Sequence, residues 1–512
     1  MPNLNTSKPN RIKQASLIIA PVISILIILF ADLDPENRKV TYTLAIAVLM
    51  AAWWITEAIP LAVTALLPVA LFPLFGVADG KIISSMYFNH LIFLFIGGFL
   101  MAFAMERWNL HRRIALRILL FFGISPGRIL LGFMLATAFL SMWMSNTATA
   151  MMMVPIALSI IFKLEENLGK KNTRKYSVGL LLAIAYSASI GGLATLVGTP
   201  PNLSFAQIVT IIFPEMPDIS FADWFIFAIP ITVILFCFAW LLLFLKFRPE
   251  KSWENLKLSE FRDEYQRLGK PGPEEKVVFI LFVFLALLWI FRSGFNIQSV
   301  VIPGWAQLFN TPEYINDGTV AIFISLLLFV IPSRTEKGSR IMNWKTANKI
   351  PWNIVLLFGG GFALARGFVE SGLSLWIGEQ LVQLANVKPV VITLSNVTMM
   401  SLLTELTSNL ATTQMILPIL GDLAVSININ PLLLMIPATV AASLAFMLPV
   451  ATPPNAIIFG TNRIRVKEMV LTGILLNIAG VLVATLVMYY WGTAVFEIDV
   501  NIFPEWAIPV EK

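Results

Sequence analysis

Long runs of apolar residues without charge dominate this chain and restrict how it can fold. Residues 17–31, 44–54, 225–245 and 277–291 contain no charged side chain. Only 13% of the 512 residues are charged, whereas a soluble protein has about 25%. A helix that crosses a bilayer needs roughly 17–25 apolar residues, so these runs predict a polytopic α-helical membrane protein. An outer-membrane barrel is excluded, because its strands alternate in polarity.

Hydropathy predicts about ten to twelve spans. The clearest lie near residues 15–31, 40–58, 60–76, 128–144, 177–197, 223–245, 275–293, 319–333, 431–449 and 467–491. Two more apolar segments, 93–103 and 355–365, are interrupted by glycines. We expect these two to be either kinked helices or re-entrant hairpins.

The charges of the loops predict the orientation. Segments 163–175 and 334–349 each contain five basic residues, whereas 205–223 and 294–318 contain acidic residues and no basic ones. Basic loops lie in the cytoplasm, which places the N-terminus inside and the acidic C-terminal tail outside. An odd number of spans follows, and eleven fits, in the inner (plasma) membrane.

A long polar segment divides the chain. We expect residues 1–245 to form a first membrane half and 277–512 a second, joined by a solvated linker, 246–276. Within this linker the sequence EFRDEYQRL favours a short surface helix as a second possibility.

The two halves repeat one another. FLSMWMSNTATAMMMVPI (139–156) aligns without gaps to LLTELTSNLATTQMILPI (402–419), at an offset of 263 residues. The same offset carries Gly97 and Gly98 onto Gly360 and Gly361. A second element follows each motif, GTPPN (198–202) and ATPPN (451–455). Two related halves are typical of secondary transporters, in which the repeats are often inverted.

The repeated polar residues indicate a binding site. Asn, Thr and Pro interrupt the helix, and freed N–H groups at a half-helix N-terminus favour an anion. Freed carbonyls and hydroxyls are hard oxygen ligands that suit Na⁺. The alternative is that these side chains only form hydrogen bonds between packed helices. The repetition of the Ser-Asn pair in both halves favours ligand binding over this alternative.

The paired Ser-Asn motifs, the two TPPN turns and WNLHRRIAL (108–116) together resemble the divalent anion:sodium symporter family. The resemblance covers nearly the whole chain. It implies eleven spans with two re-entrant hairpins, inverted repeats and a homodimer whose transport domains move as elevators against scaffold domains. It also implies sodium-coupled uptake of succinate, malate, fumarate or 2-oxoglutarate.

The resemblance assigns site residues. The substrate would contact Ser145, Asn146, Thr147, Ser408, Asn409, Leu410, Thr199, Pro200, Thr452 and Pro453. One sodium would be ringed by Ser141, Ser145, Asn146 and Gly198, and another by Thr404, Thr407, Asn409 and Ala451. Leu410 departs from the pattern, because its counterpart Thr147 has a hydroxyl. This departure leaves the choice among succinate, larger dicarboxylates and citrate open.

Two carboxylates in apolar surroundings need their own explanation. Glu405 lies within the second motif and is a candidate for proton or cation binding, but its counterpart is Met142. We therefore favour a helix-end carboxylate bonded to nearby backbone or to a basic partner. Glu57 precedes Pro60 by three residues, and we expect it near an interface, paired with a basic residue.

Other classes of function are disfavoured. The basic residues behind the net charge of +6 lie in loops, which fits a membrane protein better than nucleic-acid binding. The single cysteine excludes a disulfide within the chain. No Walker or hydrolase motif is present, and no organic cofactor is expected. A sodium-independent dicarboxylate exchanger, a proton-coupled carrier and a citrate or sulfate carrier remain alternatives, with an anion channel or a membrane enzyme more distant.

Overall fold

The structure is a computed structural model that describes residues 11–123, 125–249, 259–297, 300–381 and 387–508. Helices make up almost all of its regular structure. They are α1 Arg11–Phe30, α2 Lys39–Thr56, α3 Leu61–Thr64, α4 Leu67–Leu74, α5 Gly80–Ser85, α6 His90–Arg107, α7 Leu110–Phe122, α8 Pro126–Ser141, α9 Asn146–Leu168, α10 Lys170–Gly192, α11 Pro200–Ile212, α12 Phe221–Lys246, α13 Ser259–Arg267, α14 Pro273–Ile290, α15 Asp317–Val330, α16 Trp344–Ala347, α17 Trp352–Ser371, α18 Leu373–Leu381, α19 Pro389–Leu403, α20 Asn409–Ser426, α21 Leu432–Ala442, α22 Pro453–Phe459, α23 Val466–Val487 and α24 Thr493–Val495.

The predicted all-α polytopic membrane fold is confirmed. Seven helical segments of the described chain are long and apolar enough to cross a bilayer, and five shorter apolar helices accompany them. One antiparallel strand pair, β1 Gly294–Ile297 and β2 Val300–Pro303, was not predicted and lies in the loop before α15. The count of eleven spans stays a prediction, because length and composition alone do not fix it.

The sequence repeat is also a repeat of structural elements. α8 and α19 begin at Pro126 and Pro389, and α9 and α20 begin at Asn146 and Asn409. Each pair of positions is related by the offset found in the sequence. Each half therefore contains two helices joined by a short turn, and both turns carry the Ser-Asn motif.

Of the two expectations for the glycine-containing segments, the structure contradicts re-entrant hairpins, and kinked helices stay a prediction. α6 and α17 run through these glycines as uninterrupted helices. The glycines instead allow close packing. A Cβ at Gly97 would lie 2.5 Å from the Ala321 Cβ on α15, and one at Gly360 would lie 2.5 Å from the Ala65 Cβ. A missing side chain permits a helix contact as readily as a bend.

Three predicted spans are shorter or more divided than hydropathy indicated. The segment 60–76 forms two short helices, α3 and α4. The helices in 177–197 and 431–449 end at Gly192 and Ala442, and irregular segments then lead to the TPPN motifs. Apolar composition extends through these irregular segments, so hydropathy does not detect where the helix stops. α10 lies at the centre of this region, with every residue from 176 to 192 buried.

The polar linker contains the short helix α13, which packs on α7. The Arg113 guanidinium forms a buried ion pair with Glu275, donates to the Leu268 and Gly269 carbonyls and lies over the Tyr265 ring. A buried charge needs such complete pairing. The described end of the linker is therefore attached to the membrane helices, and the proposed boundaries of the two halves stay a prediction.

Candidate functional site

The first Ser-Asn motif forms the turn between α8 and α9. Ser145 is the N-cap of α9, and its side chain accepts a hydrogen bond from the Ala148 N–H at 3.2 Å. Serine is a favoured N-cap because its oxygen satisfies one of the free N–H groups of the first turn. Asn146 is then the first residue of α9, so its side chain lies at the positive end of a helix dipole.

Both motif asparagines are held in the same way. The Ser141 hydroxyl donates to Asn146 Oδ1 at 2.6 Å, and the Thr404 hydroxyl donates to Asn409 Oδ1 at 2.7 Å. Ser141 and Thr404 are fully buried and occupy equivalent positions of the repeat. Each hydroxyl fixes the orientation of the asparagine side chain that it bonds. Hydroxyl and amide oxygens are also the kind of ligand that a hard cation prefers.

The TPPN motifs begin the helices that follow the irregular segments. Pro200 and Pro453 are the first residues of α11 and α22, and the threonines before them are the N-caps. Proline suits this position because its missing N–H would have no partner in the helix. Thr452 caps α22 by accepting from the Asn455 N–H, whereas the Thr199 hydroxyl lies 3.4 Å from the Ser443 hydroxyl.

The asparagine of each TPPN motif has a structural role that the sequence analysis missed. The Asn202 side chain donates to the Gly192, Leu193 and Thr195 carbonyls. The Asn455 side chain donates to the Ala445 and Leu448 carbonyls. Both amides are fully buried and supply partners for carbonyls that lack helical hydrogen bonds. The repetition of Asn after Pro-Pro in both halves was the sequence signal that could have indicated this role.

The Glu405 carboxylate holds the second irregular segment in place. It accepts from the backbone N–H groups of Phe446, Met447 and Leu448 and from the Asn477 side chain, at 2.8 to 3.2 Å. The preferred interpretation, a carboxylate bonded to nearby backbone, is confirmed. The expected partner of Glu57 is also present, since Lys13 Nζ lies 3.0 Å from its carboxylate.

The two turns and the two TPPN segments border one cavity of about 880 Å³. All ten residues expected to contact substrate line it, as do the expected sodium ligands Gly198, Thr407 and Ala451. Ser141 and Thr404 lie behind the cavity wall, where they hold the two asparagines.

Side chains outside the motifs complete the cavity. Trp54, Phe95, Phe99 and Leu357 contribute apolar wall from α2, α6 and α17. Glu57 is the only ionisable residue among the lining residues, and no Lys or Arg lines the cavity in the described chain. The site offers hydroxyls, amides, helix N-termini and backbone groups, but no fixed positive charge.

Comparison with known proteins identifies the family. The model of the sodium:sulfate symporter transmembrane region matches residues 11–498. The chain belongs to this family of sodium symporters. The resemblance to divalent anion:sodium symporters that the motifs indicated is thereby confirmed.

Curated relatives match over nearly their whole length. The sodium-dependent dicarboxylate transporter SdcS of Staphylococcus saprophyticus is 45% identical over 491 residues, which are 95% of this chain and 92% of the relative. The protein of the same name from Staphylococcus aureus gives the same identity and coverage.

Solved structures with low sequence identity share the fold. The YdaH transporter of Alcanivorax borkumensis aligns with a TM-score of 0.55 at 13% identity, over 82% of this chain and 90% of that one. MtrF of Neisseria gonorrhoeae aligns with a TM-score of 0.54 at 14% identity, over 81% and 85% of the two chains. At such identities the likeness concerns the fold alone.

Proposed function

We propose that this protein is a secondary active transporter that couples sodium entry to the uptake of C4–C5 dicarboxylates such as succinate, malate, fumarate and 2-oxoglutarate. The observation that carries the proposal is the cavity between the two Ser-Asn turns, to which the described part of the chain contributes hydroxyls, amides and helix N-termini but no Lys or Arg. The names of the 45% identical relatives support both the cation and the substrate class.

The substrate carboxylates bind at the two turns in this proposal. Asn146 and Asn409 each begin a helix, so the helix dipole and the first N–H groups favour a carboxylate there. The hydroxyls of Ser145, Thr147 and Ser408 donate further hydrogen bonds. Thr199, Pro200, Thr452 and Pro453 enclose the carbon chain from the opposite side, and Leu410 packs against it.

Sodium provides the positive charge that the cavity wall lacks. Ser141, Ser145, Asn146 and Gly198 supply oxygens to one ion, and Thr404, Thr407, Asn409 and Ala451 supply them to the other. A dianion binds weakly in a site without fixed positive charge until cations arrive. Because the two ligands assist each other reciprocally, sodium binding and dicarboxylate binding are coupled.

We place the N-terminus in the cytoplasm and count eleven spans from the charges of the loops. With this orientation the cavity opens toward the cytoplasm, which is an inward-open state. The cavity extends to Glu57, which follows α2, and to Asn353 at the start of α17. α17 follows the basic segment 334–349, and basic segments lie in the cytoplasm. Movement of a transport domain against a scaffold in a homodimer would then close the cavity and open it outside.

The test is uptake of labelled succinate into proteoliposomes that contain the purified protein. An inwardly directed sodium gradient is expected to drive accumulation, whereas an equal potassium gradient is not. Uptake that ignores the sodium gradient would contradict the proposal. A panel of succinate, malate, citrate and sulfate as competitors then identifies the preferred substrate.

The second candidate is a sodium-independent dicarboxylate exchanger of the same fold, whose substrate site would be built from the same two turns. Such a carrier would exchange external labelled succinate for internal succinate in sodium-free buffer. The symporter is expected to show this counterflow only when sodium is present on both sides.

A further inference from the structure

Glu57 has an unusual position for a carboxylate. It lines the cavity that we assign to a dianion, and among the residues that the structure describes it is the only ionisable one in the lining. A negative charge in this place repels the proposed substrate. Neither the two turns nor the TPPN segments explain why it is there.

The backbone of Glu57 is also unusual. Glu57 ends α2 with φ +47°, in the left-handed region. Glycine or asparagine is the common residue at such a helix end, because a larger side chain strains the backbone there.

The Glu57 carboxylate is paired with a lysine that lies beside the cavity lining and is not part of it. Lys13, in the first turn of α1, places its Nζ 3.0 Å from Glu57 Oε2. The side chains are 41% and 60% exposed, and such an exposed pair contributes little to stability. Both side chains can therefore exchange partners when a charged solute passes.

We propose that Lys13 and Glu57 form an electrostatic mouth that sets how tightly dicarboxylates are held in the cavity relative to bulk solvent. This inference rests on the proposed function. The Lys13 ammonium cancels the Glu57 charge and offers the passing dianion a cationic partner, while Glu57 competes for Lys13 and prevents the dianion from being retained there.

The two charges act on the dianion with opposite signs. Lys13→Gln leaves the Glu57 charge uncompensated, and succinate binding is expected to weaken by about threefold to tenfold. Glu57→Gln leaves Lys13 free, and binding is expected to tighten by about twofold to fivefold. The double variant Lys13→Gln/Glu57→Gln returns to within about twofold of the wild type, because the opposing effects cancel.

The experiment measures the dissociation constant of succinate for the purified protein in nanodiscs, at a fixed sodium concentration. Choline chloride is then added, and the differences among variants are expected to shrink as the ions screen them. Arg174→Gln is the matched control, since Arg174 forms an exposed ion pair with Glu468 outside the cavity lining. It removes the same charge and is expected to leave the dissociation constant unchanged.

The results separate the possible roles of the pair. Shifts of the two single variants in the same direction, or a Lys13→Gln variant that behaves like Arg174→Gln, would overturn the inference and leave a pair that only joins α1 to the end of α2. A wild-type protein that binds no succinate in sodium would overturn the proposed function, and this inference with it.

Discussion

The two repeated turns use the same asparagine in different surroundings. In the first half Ser145 caps α9, and Thr147 follows the motif asparagine. In the second half no side chain caps α20 in this way, and Leu410 takes the position of Thr147. Since Ser408 makes no capping hydrogen bond, its hydroxyl is available for a ligand. Because Ser145 only accepts in its capping bond, the first turn offers hydroxyl donors from Ser145 and Thr147, and the second offers one from Ser408.

The irregular segments that lead to the two TPPN motifs differ between the halves more strongly than the Ser-Asn turns do. In the first half the Thr195 hydroxyl donates to the Met142 carbonyl at 2.5 Å and accepts from the Gly198 N–H. In the second half the Glu405 side chain, at the position of Met142, accepts from three successive N–H groups. The first segment is held by a neutral hydroxyl and the second by a carboxylate. Two related halves therefore keep their geometry by different chemistry.

Removal of either asparagine amide has the largest expected effect and tests whether both halves bind ligand. Asn146→Ala and Asn409→Ala should each lower sodium-driven succinate uptake by at least about 100-fold, because a buried polar site loses its hydrogen-bonding group. The measurement is initial uptake into proteoliposomes. The control Asn172→Ala removes an amide that bonds the Leu168 carbonyl and should retain uptake. Normal uptake by Asn409→Ala would confine the site to the first half.

The irregular segment before each TPPN motif is held by a different side chain, Thr195 in the first half and Glu405 in the second. Substitution of these two side chains should therefore lower stability by unequal amounts. Glu405→Gln should lower the free energy of unfolding by about 2–4 kcal/mol, since hydrogen bonds to a charged group are the stronger ones. Thr195→Val, the counterpart change, should cost about 1 kcal/mol. Thermal unfolding in detergent compares the two variants with the wild type. Equal losses would show that the carboxylate provides no more than the hydroxyl does.

The repeated glycines predict one similarity and one difference between the halves. Gly97→Ala and Gly360→Ala should each destabilise by about 1–3 kcal/mol, because the added methyl group overlaps a neighbouring helix. At the next position the halves diverge. A Cβ at Gly98 would meet Val197 at an ordinary 3.4 Å, whereas a Cβ at Gly361 would overlap the Gln414 side chain.

Gly98→Ala is therefore the matched control and should change the unfolding temperature little, whereas Gly361→Ala should lower it. The measurement is again thermal unfolding, with fluorescence-detected size exclusion to check assembly. If Gly98→Ala were destabilised and Gly361→Ala were not, the close contact assigned to Gly361 and the ordinary contact assigned to Gly98 would both be wrong.

The repeat made much of the site predictable. Because Ser-Asn and TPPN recur in order, the sequence identified both turns, and the family resemblance added ten expected substrate contacts, all of which are among the residues that line the cavity. Re-entrant hairpins at the glycine segments were a wrong alternative, since glycine permits a close approach as well as a break. The partners of Glu405 lie more than 40 residues further along the chain, and the aromatic wall comes from α2 and α6. Local patterns contain no information about such distant contacts.

The smallest expected effect concerns Leu410, where the two halves differ within the cavity. Leu410→Thr restores the hydroxyl that its counterpart Thr147 provides, and the residue lines the cavity. We expect malate to gain about threefold to tenfold over succinate in binding, because the new hydroxyl can pair with the hydroxyl of malate. Thr147→Val, which removes the other hydroxyl, should weaken both substrates and leave their ratio unchanged. If Leu410→Thr left the malate-to-succinate ratio unaltered, residue 410 would not contact the part of the substrate by which the two diacids differ.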